Sequence, residues 1–281
     1  MLEQLAIVTR WFSLALLIGA TVLYAYQLIM KRENLAWWAR FGTGAGTLLL
    51  TASIGFRSSA SDGTQLTGPH NTLVLSAWAV LIVYFAAEHF MKVKTYGALL
   101  VPTAVLLLLV AQFLSGAEPA GLSADAVIQL NTWRVGIHVA LIVFANAGFF
   151  VAGAASVFYL VLGQQLKKHK TGPLLDRLPS LGAAQRIARR AVVLSFPSYT
   201  AGMILGTVRA IETDVLGWWA DPRVMMSGVV WAVFGAYLVL LYRQGVSGRI
   251  ASWIAIGGTL CVIALSIMAR TLPVGFHVFA L

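Results

Sequence analysis

The chain has 281 residues, 59% of them hydrophobic and only 11% charged, with a formal net charge of +10. Soluble domains carry about 25% charged residues, so the composition excludes a water-soluble domain and indicates an integral membrane protein. The positive charge belongs to connections that face anionic lipid rather than to a nucleic-acid site, because no polar segment is long enough to build a basic binding domain.

Backbone groups in lipid must be satisfied within their own segment, and long apolar runs with little strand signal favour helices over a barrel. A span needs about 20 apolar residues. The first runs over residues 5–29; it lacks a basic leading region and a small-residue cleavage site, which makes it a retained span and not a signal peptide. The second, 37–57, contains Gly42, Gly44 and Gly46. No strand precedes them, so they serve helix packing and not phosphate binding. The third and fourth occupy 71–91 and 96–115, the fourth with Pro102 inside it. The stretch 115–131 is short and weakly acidic and predicts an interfacial helix.

The fifth span, 132–163, is long and projects beyond the bilayer. Residues 173–190 mix Leu with Arg after Pro179 and predict a cytoplasmic surface helix along the headgroups. The sixth, seventh and eighth spans occupy 190–211, 224–242 and 250–271, with Pro197 inside the sixth. The spacings Gly202/Gly206 and Gly148/Ala152 allow close helix contact. The only cysteine, Cys261, lies mid-span as a packing residue and excludes an internal disulfide, a CxxC pair and a CxxCH haem attachment site. The expected fold is a single all-α integral membrane domain over 1–281, a polytopic bundle of about eight transmembrane helices.

Charge sets the orientation. Fourteen of the twenty basic residues fall in alternate connections, and seven of the ten acids fall in the others. The positive-inside rule places the basic connections in the cytoplasm. Both termini then lie on the outer side, together with the turn GWWADPR, residues 217–223. His138 begins the fifth span at its outer end, and His277 follows the last span, also outside. Two adjacent indoles, Trp218 and Trp219, form a flat surface for another ring, and two imidazoles supply nitrogen ligands. Together at one membrane face they point to a porphyrin with axially ligated iron.

The same residues carry a family resemblance. TWRVGIHV (132–139), GWWADPRVMMSGVVW (217–231) and LPVGFHVF (272–279) resemble segments of the cytochrome c assembly family, which includes CcsA (ResC) and the HemX-like and YpjD-like branches. GPHNTLVLSAW (68–78), RLPSL, GMILGTV and GVSGRIASWIAIGG add to it, so the resemblance covers most of the chain. In the tryptophan motif Trp218, Trp219, Asp221, Pro222 and Trp231 match, with Arg223 in place of a lysine. The resemblance implies His138 and His277 as external haem ligands. The chain departs from CcsA in two ways. Leu240 and Leu241 stand where an intramembrane histidine is usual, and the tryptophan motif is thinner. Both departures favour the shorter HemX-like or YpjD-like branches or a diverged CcsA.

Each candidate also has a plainer reading. His138 and His277 are polar helix-end residues, and Trp218 and Trp219 suit an aromatic belt like Trp11, Trp37, Trp38, Trp133 and Trp253. Asp221 caps the next helix, with Pro222 at its first position. Arg57, Arg209, Arg223 and Arg270 sit at outer helix ends, where arginine snorkels to lipid phosphate or binds carboxylate bidentately. Arg209 and Arg270 flank the proposed site and are the better candidates for haem propionates. His70 opens the third span near the site, while His89 and His169 are surface residues on the cytoplasmic side.

The expected function is haem binding at the outer face of a bacterial cytoplasmic membrane during cytochrome c biogenesis. Haem would be held between His138 and His277 beside Trp218, Trp219 and Asp221, with Arg209 and Arg270 on its carboxylates. The resemblance implies an apocytochrome c substrate and a CcsB (ResB)-type membrane partner, with which the chain would form part of a haem lyase. Alternatives are a HemX-like regulator of tetrapyrrole synthesis working through 164–190, and an accessory haem or quinone subunit of a membrane redox complex. No protease, nucleotide or Ser-His-Asp signature supports isolated enzymatic chemistry.

Overall fold

The computed structural model describes residues 1–30, 33–60, 69–91, 97–113, 132–167, 180–212, 217–243 and 247–271. Among them lie α1 (Leu2–Met30), α2 (Glu33–Ala60), α3 (Pro69–Met91) and α4 (Gly97–Phe113). Then follow α5 (Trp133–Lys167), α6 (Leu181–Glu212), a 3-10 turn over Trp218–Ala220, α7 (Pro222–Tyr242) and α8 (Gly248–Thr271). No strand occurs among the described residues. The protein is an all-α polytopic membrane protein.

Eight spans were expected; among the described residues five helices are long and apolar enough to cross a bilayer, over Leu2–Gln27, Trp133–Lys167, Leu181–Glu212, Pro222–Tyr242 and Gly248–Met268. Shorter apolar stretches, His70–Ala86 and Gly97–Phe113, belong to α3 and α4. α2 is more polar, yet its threonine hydroxyls are satisfied within the helix. Thr43, Thr47 and Thr51 each donate to the carbonyl four residues earlier, at 2.8, 2.8 and 2.9 Å, which lets a hydroxyl sit in lipid without an unpaired group.

Small residues set how closely the helices approach. Ser13 Oγ donates to the Gly46 carbonyl and Ser53 Oγ to the Ala6 carbonyl, both at 2.7 Å, so α1 and α2 run antiparallel in close contact. A Cβ on Gly46 would lie 2.9 Å from Leu17 Cγ and one on Gly42 3.5 Å from Ala20 Cβ, so these two glycines face α1, while one on Gly44 would meet only Phe85 at 4.0 Å. On α6 a Cβ at Gly202 would meet Ile142 at 2.8 Å, and Gly148 of α5 abuts Ser195. The expected small-residue seam between α5 and α6 is therefore present. α5 also packs against α3, α4 and α8, so it stands at the centre of the bundle. Its Phe149 stacks on Phe234 of α7 with centroids 3.7 Å apart and meets Tyr199 of α6 edge-on at 5.4 Å.

Two polar junctions hold α1–α4. At one end Arg40 bridges to Glu88 at 2.6 Å, Tyr84 donates to Glu88 at 2.5 Å, and Tyr24 and Tyr84 hydroxyls pair at 2.7 Å. At the other end His70 Nδ1 donates to the Ala111 carbonyl at 2.8 Å, and His70 Nε2 accepts from Arg10 Nη1 at 2.6 Å. Both His70 nitrogens are thus used to join α1, α3 and α4. His89 is an exposed residue in the last turn of α3, as its surface reading requires.

The predicted surface helix over 173–190 is corrected in its described part. From Leu181 the chain is already in α6, which continues without interruption to Glu212 through Pro197. The Ser180 carbonyl accepts from the Ala183 and Ala184 amides, and its hydroxyl accepts from Ala183 as well. This caps the helix at its start. Ala184 and Ala188 are buried in the bundle, so this segment extends the spanning helix and does not lie along headgroups. The predicted interfacial helix over 115–131, His169 and His277 lie outside the described residues.

Candidate functional site

α5 begins, α6 ends and α7 begins at one end of the bundle, the end that the charge pattern assigns to the outside. His138 lies in the second turn of α5 and is half-buried. Its Nδ1 faces the Gly202 carbonyl of α6 at 2.7 Å. A carbonyl only accepts, so Nδ1 carries the proton and a backbone carbonyl orients the ring, as is usual for metal-ligating histidines. The seat for the ring is Gly206, one turn further along α6. A Cβ there would lie 2.8 Å from His138 Cε1 and 3.2 Å from Nδ1.

Outward of His138 lies a charged group. Arg134, four residues earlier on α5, directs Nη1 to both oxygens of Glu212, at 2.5 and 2.7 Å. Arg209 Nη1 lies 3.8 Å from Glu212 Oε2. Sequence reasoning singled out Arg209 but missed Arg134 and gave Glu212 no role beyond its charge. The available signal was the four-residue spacing of Arg134 and His138, which puts them on one helix face.

The tryptophan turn enters α7. Gly217 adopts φ 73°, a left-handed conformation that favours glycine. Trp218–Ala220 then make one 3-10 turn, and Asp221 Oδ1 accepts from the Arg223 amide at 2.7 Å with Pro222 at the first helical position. The expected cap is therefore present, and Asp221 is buried at 4% exposure. The two indoles are not a continuous plane. Their centroids are 6.4 Å apart and their planes cross at 83°, the edge-to-face arrangement aromatic quadrupoles prefer. Trp219 is 65% exposed while Trp218 is half-buried, so Trp219 alone offers a broad free face. Trp231 is separate from the turn: its Nε1 donates to Thr200 Oγ1 at 3.0 Å, which ties α7 to α6. Arg270 lies in the last turn of α8.

The residues present fit a haem. An oriented imidazole, an exposed indole and a pair of arginines lie at the same end of neighbouring helices. Among the described residues no three His, Cys, Asp or Glu side chains gather to hold a metal ion by themselves, and a porphyrin iron asks only for axial ligands.

A polytopic helical bundle with an imidazole and a Trp-Trp-Ala-Asp-Pro turn at one end defines a class of membrane protein built to present groups at its surface. The family described as Cytochrome C assembly protein matches residues 68–277, about three quarters of the chain, and the protein belongs to it. The matched region begins just before α3 and reaches His277. Among curated relatives, the protein is similar to "Cytochrome c biogenesis protein CcsA" of Gloeobacter violaceus, at 24% identity over 94% of this chain and 93% of the relative. It is similarly related to the CcsA proteins of Synechococcus sp., at 24% identity over 83% and 81%, and of Chlamydomonas reinhardtii, at 24% over 89% and 70%.

Proposed function

We propose that this protein holds haem at the outer face of a bacterial cytoplasmic membrane during cytochrome c biogenesis, with His138 and His277 as axial ligands. The observation that carries the reading is the seat of His138. Its Nδ1 is committed to the Gly202 carbonyl and its ring rests on Gly206, so the imidazole is held in one orientation at the end of α5. The family match, which spans both His138 and His277, and the CcsA names of the relatives support the same reading over a regulator of tetrapyrrole synthesis.

Haem, when bound, supplies an iron that takes axial nitrogens and vinyl groups that react with cysteine thiols. The protein's own part is position. His138 is held at a fixed rotamer and tautomer, so little freedom is lost on ligation. Trp219 lays its exposed face against an apolar ring, and Asp221 fixes the geometry of the turn by capping α7. An apocytochrome c with a CxxCH motif is the substrate this arrangement suits, and a CcsB-type membrane protein is the partner.

The test is the absorption spectrum of the purified protein and of its His138→Ala and His277→Ala variants. The parent is expected to show a low-spin spectrum that each substitution shifts or abolishes while the protein still inserts. An unchanged Soret and α-band in either variant would remove that histidine from the site.

A further inference from the structure

The charged group above His138 is unused by ligation and stacking. Arg134 is four residues from His138 on the same face of α5, about 6 Å outward along the axis. Arg209 is three residues beyond Gly206, the residue on which the His138 ring rests. The two guanidiniums approach from neighbouring helices and converge on one carboxylate, Glu212, at 2.5, 2.7 and 3.8 Å.

We propose that Arg134 and Arg209 form the binding site for a haem propionate, and that the Glu212 carboxylate occupies this site until the propionate displaces it. The inference rests on the haem reading of His138 and adds the groups that recognise the porphyrin's acid edge. Two observations support it. First, a porphyrin ligated through His138 and carrying carboxylates at its edge has these two arginines next to its ligand, and arginine binds carboxylate in forked geometry. Second, the Arg134 and Glu212 side chains are 48% and 38% exposed. An exposed ion pair is weakly held, and a propionate tethered by iron ligation competes at a high effective concentration. Glu212 keeps the arginines converged before haem arrives and then yields to a ligand of the same chemistry.

Haem and its dimethyl ester, in which both propionates are blocked, separate this site from ligation. Both are titrated into the apo-protein, its Arg134→Gln and Glu212→Gln variants and His138→Ala, and the Soret change is followed. Arg134→Gln is expected to raise the Kd for haem about tenfold, which corresponds to about 1.4 kcal/mol, and Glu212→Gln to lower it several-fold. For the dimethyl ester both variants are expected to match the parent. Thermal melts of the apo-variants report whether the half-exposed substitutions leave the fold intact. Equal changes for haem and ester, or no change with haem, would overturn the propionate site while leaving ligation standing. A Glu212→Gln variant that binds haem more weakly than the parent would overturn the displacement. No haem uptake by the parent, or full uptake by His138→Ala, would instead defeat the haem reading and this inference with it.

Discussion

Gly206→Ala tests the seat of His138 directly. The added Cβ would lie 2.8 Å from His138 Cε1, whereas carbon atoms rest about 3.5–4.0 Å apart. The ring must retreat by roughly 0.7 Å. Movement of that size away from α6 stretches the 2.7 Å Nδ1 bond to Gly202 beyond the ~3.2 Å limit of a good N–H···O contact. In the apo-protein the ring simply swings outward. Ligation forces it back against the methyl group, so the strain falls on binding. Overpacking of this kind costs about 1–3 kcal/mol, or about a five- to hundredfold rise in Kd for haem by the rule that 1.4 kcal/mol is tenfold. Gly258→Ala is the matched control. Its Cβ would be equally crowded, 2.8 Å from Phe234 Cε2, in the seam between α8 and α7 and not against the imidazole. Soret titrations and apo-protein melting curves of both variants measure the effect. If the two lose haem equally, or if Gly206→Ala binds like the parent, the glycine seat has no bearing on ligation.

Trp219→Ala is expected to weaken haem retention more than Trp218→Ala, because Trp219 is exposed and the two planes are nearly perpendicular. Base–aromatic stacking is worth about 1–3 kcal/mol, so haem transfer to an apo-acceptor will be several-fold faster, and equal rates for both variants would argue against a stacking role. Asp221→Ala is expected to lower the melting temperature through loss of a cap worth about 1 kcal/mol. Asp221→Asn should keep most of that stability, and a variant as unstable as Asp221→Ala would show that the carboxylate does more than cap. The chain alone is expected not to carry haem across a bilayer by a histidine relay. Leu240 and Leu241 lie in the last turn of α7, and the described histidines sit only in end turns, at 70, 89 and 138. Charged groups at a bilayer centre cost about 3 kcal/mol each or more. Vesicles of purified protein with external haem and a luminal apo-reporter measure this, and loading faster than in protein-free vesicles would refute it.

The all-α membrane class was legible in the sequence because lipid imposes a simple rule: a long apolar run becomes a helix. Eight spans were expected; among the described residues eight helices are present, and five of them are long and apolar enough to cross a bilayer. The Asp221 cap and the α5–α6 glycine seam were legible for the same reason, since capping and close approach depend on residue type at fixed spacing. The continuous helix from Leu181 was not. Leu and Arg side by side describe a surface helix equally well, and only the burial of Ala184 and Ala188 against other helices distinguishes the two. The perpendicular indoles were hidden too, because adjacency in sequence says nothing of ring orientation in a 3-10 turn. His70 and His138 show the limit most clearly. Both stand near the outer end of a span, yet Arg10 and Ala111 engage the two nitrogens of the first, while Nδ1 of the second donates to the Gly202 carbonyl. Apolar length, charge and caps are local properties and were determined by the sequence itself. Which nitrogen is committed, and that Arg134 joins Arg209 on Glu212, depends on residues 41 to 78 positions apart that meet only when the helices pack.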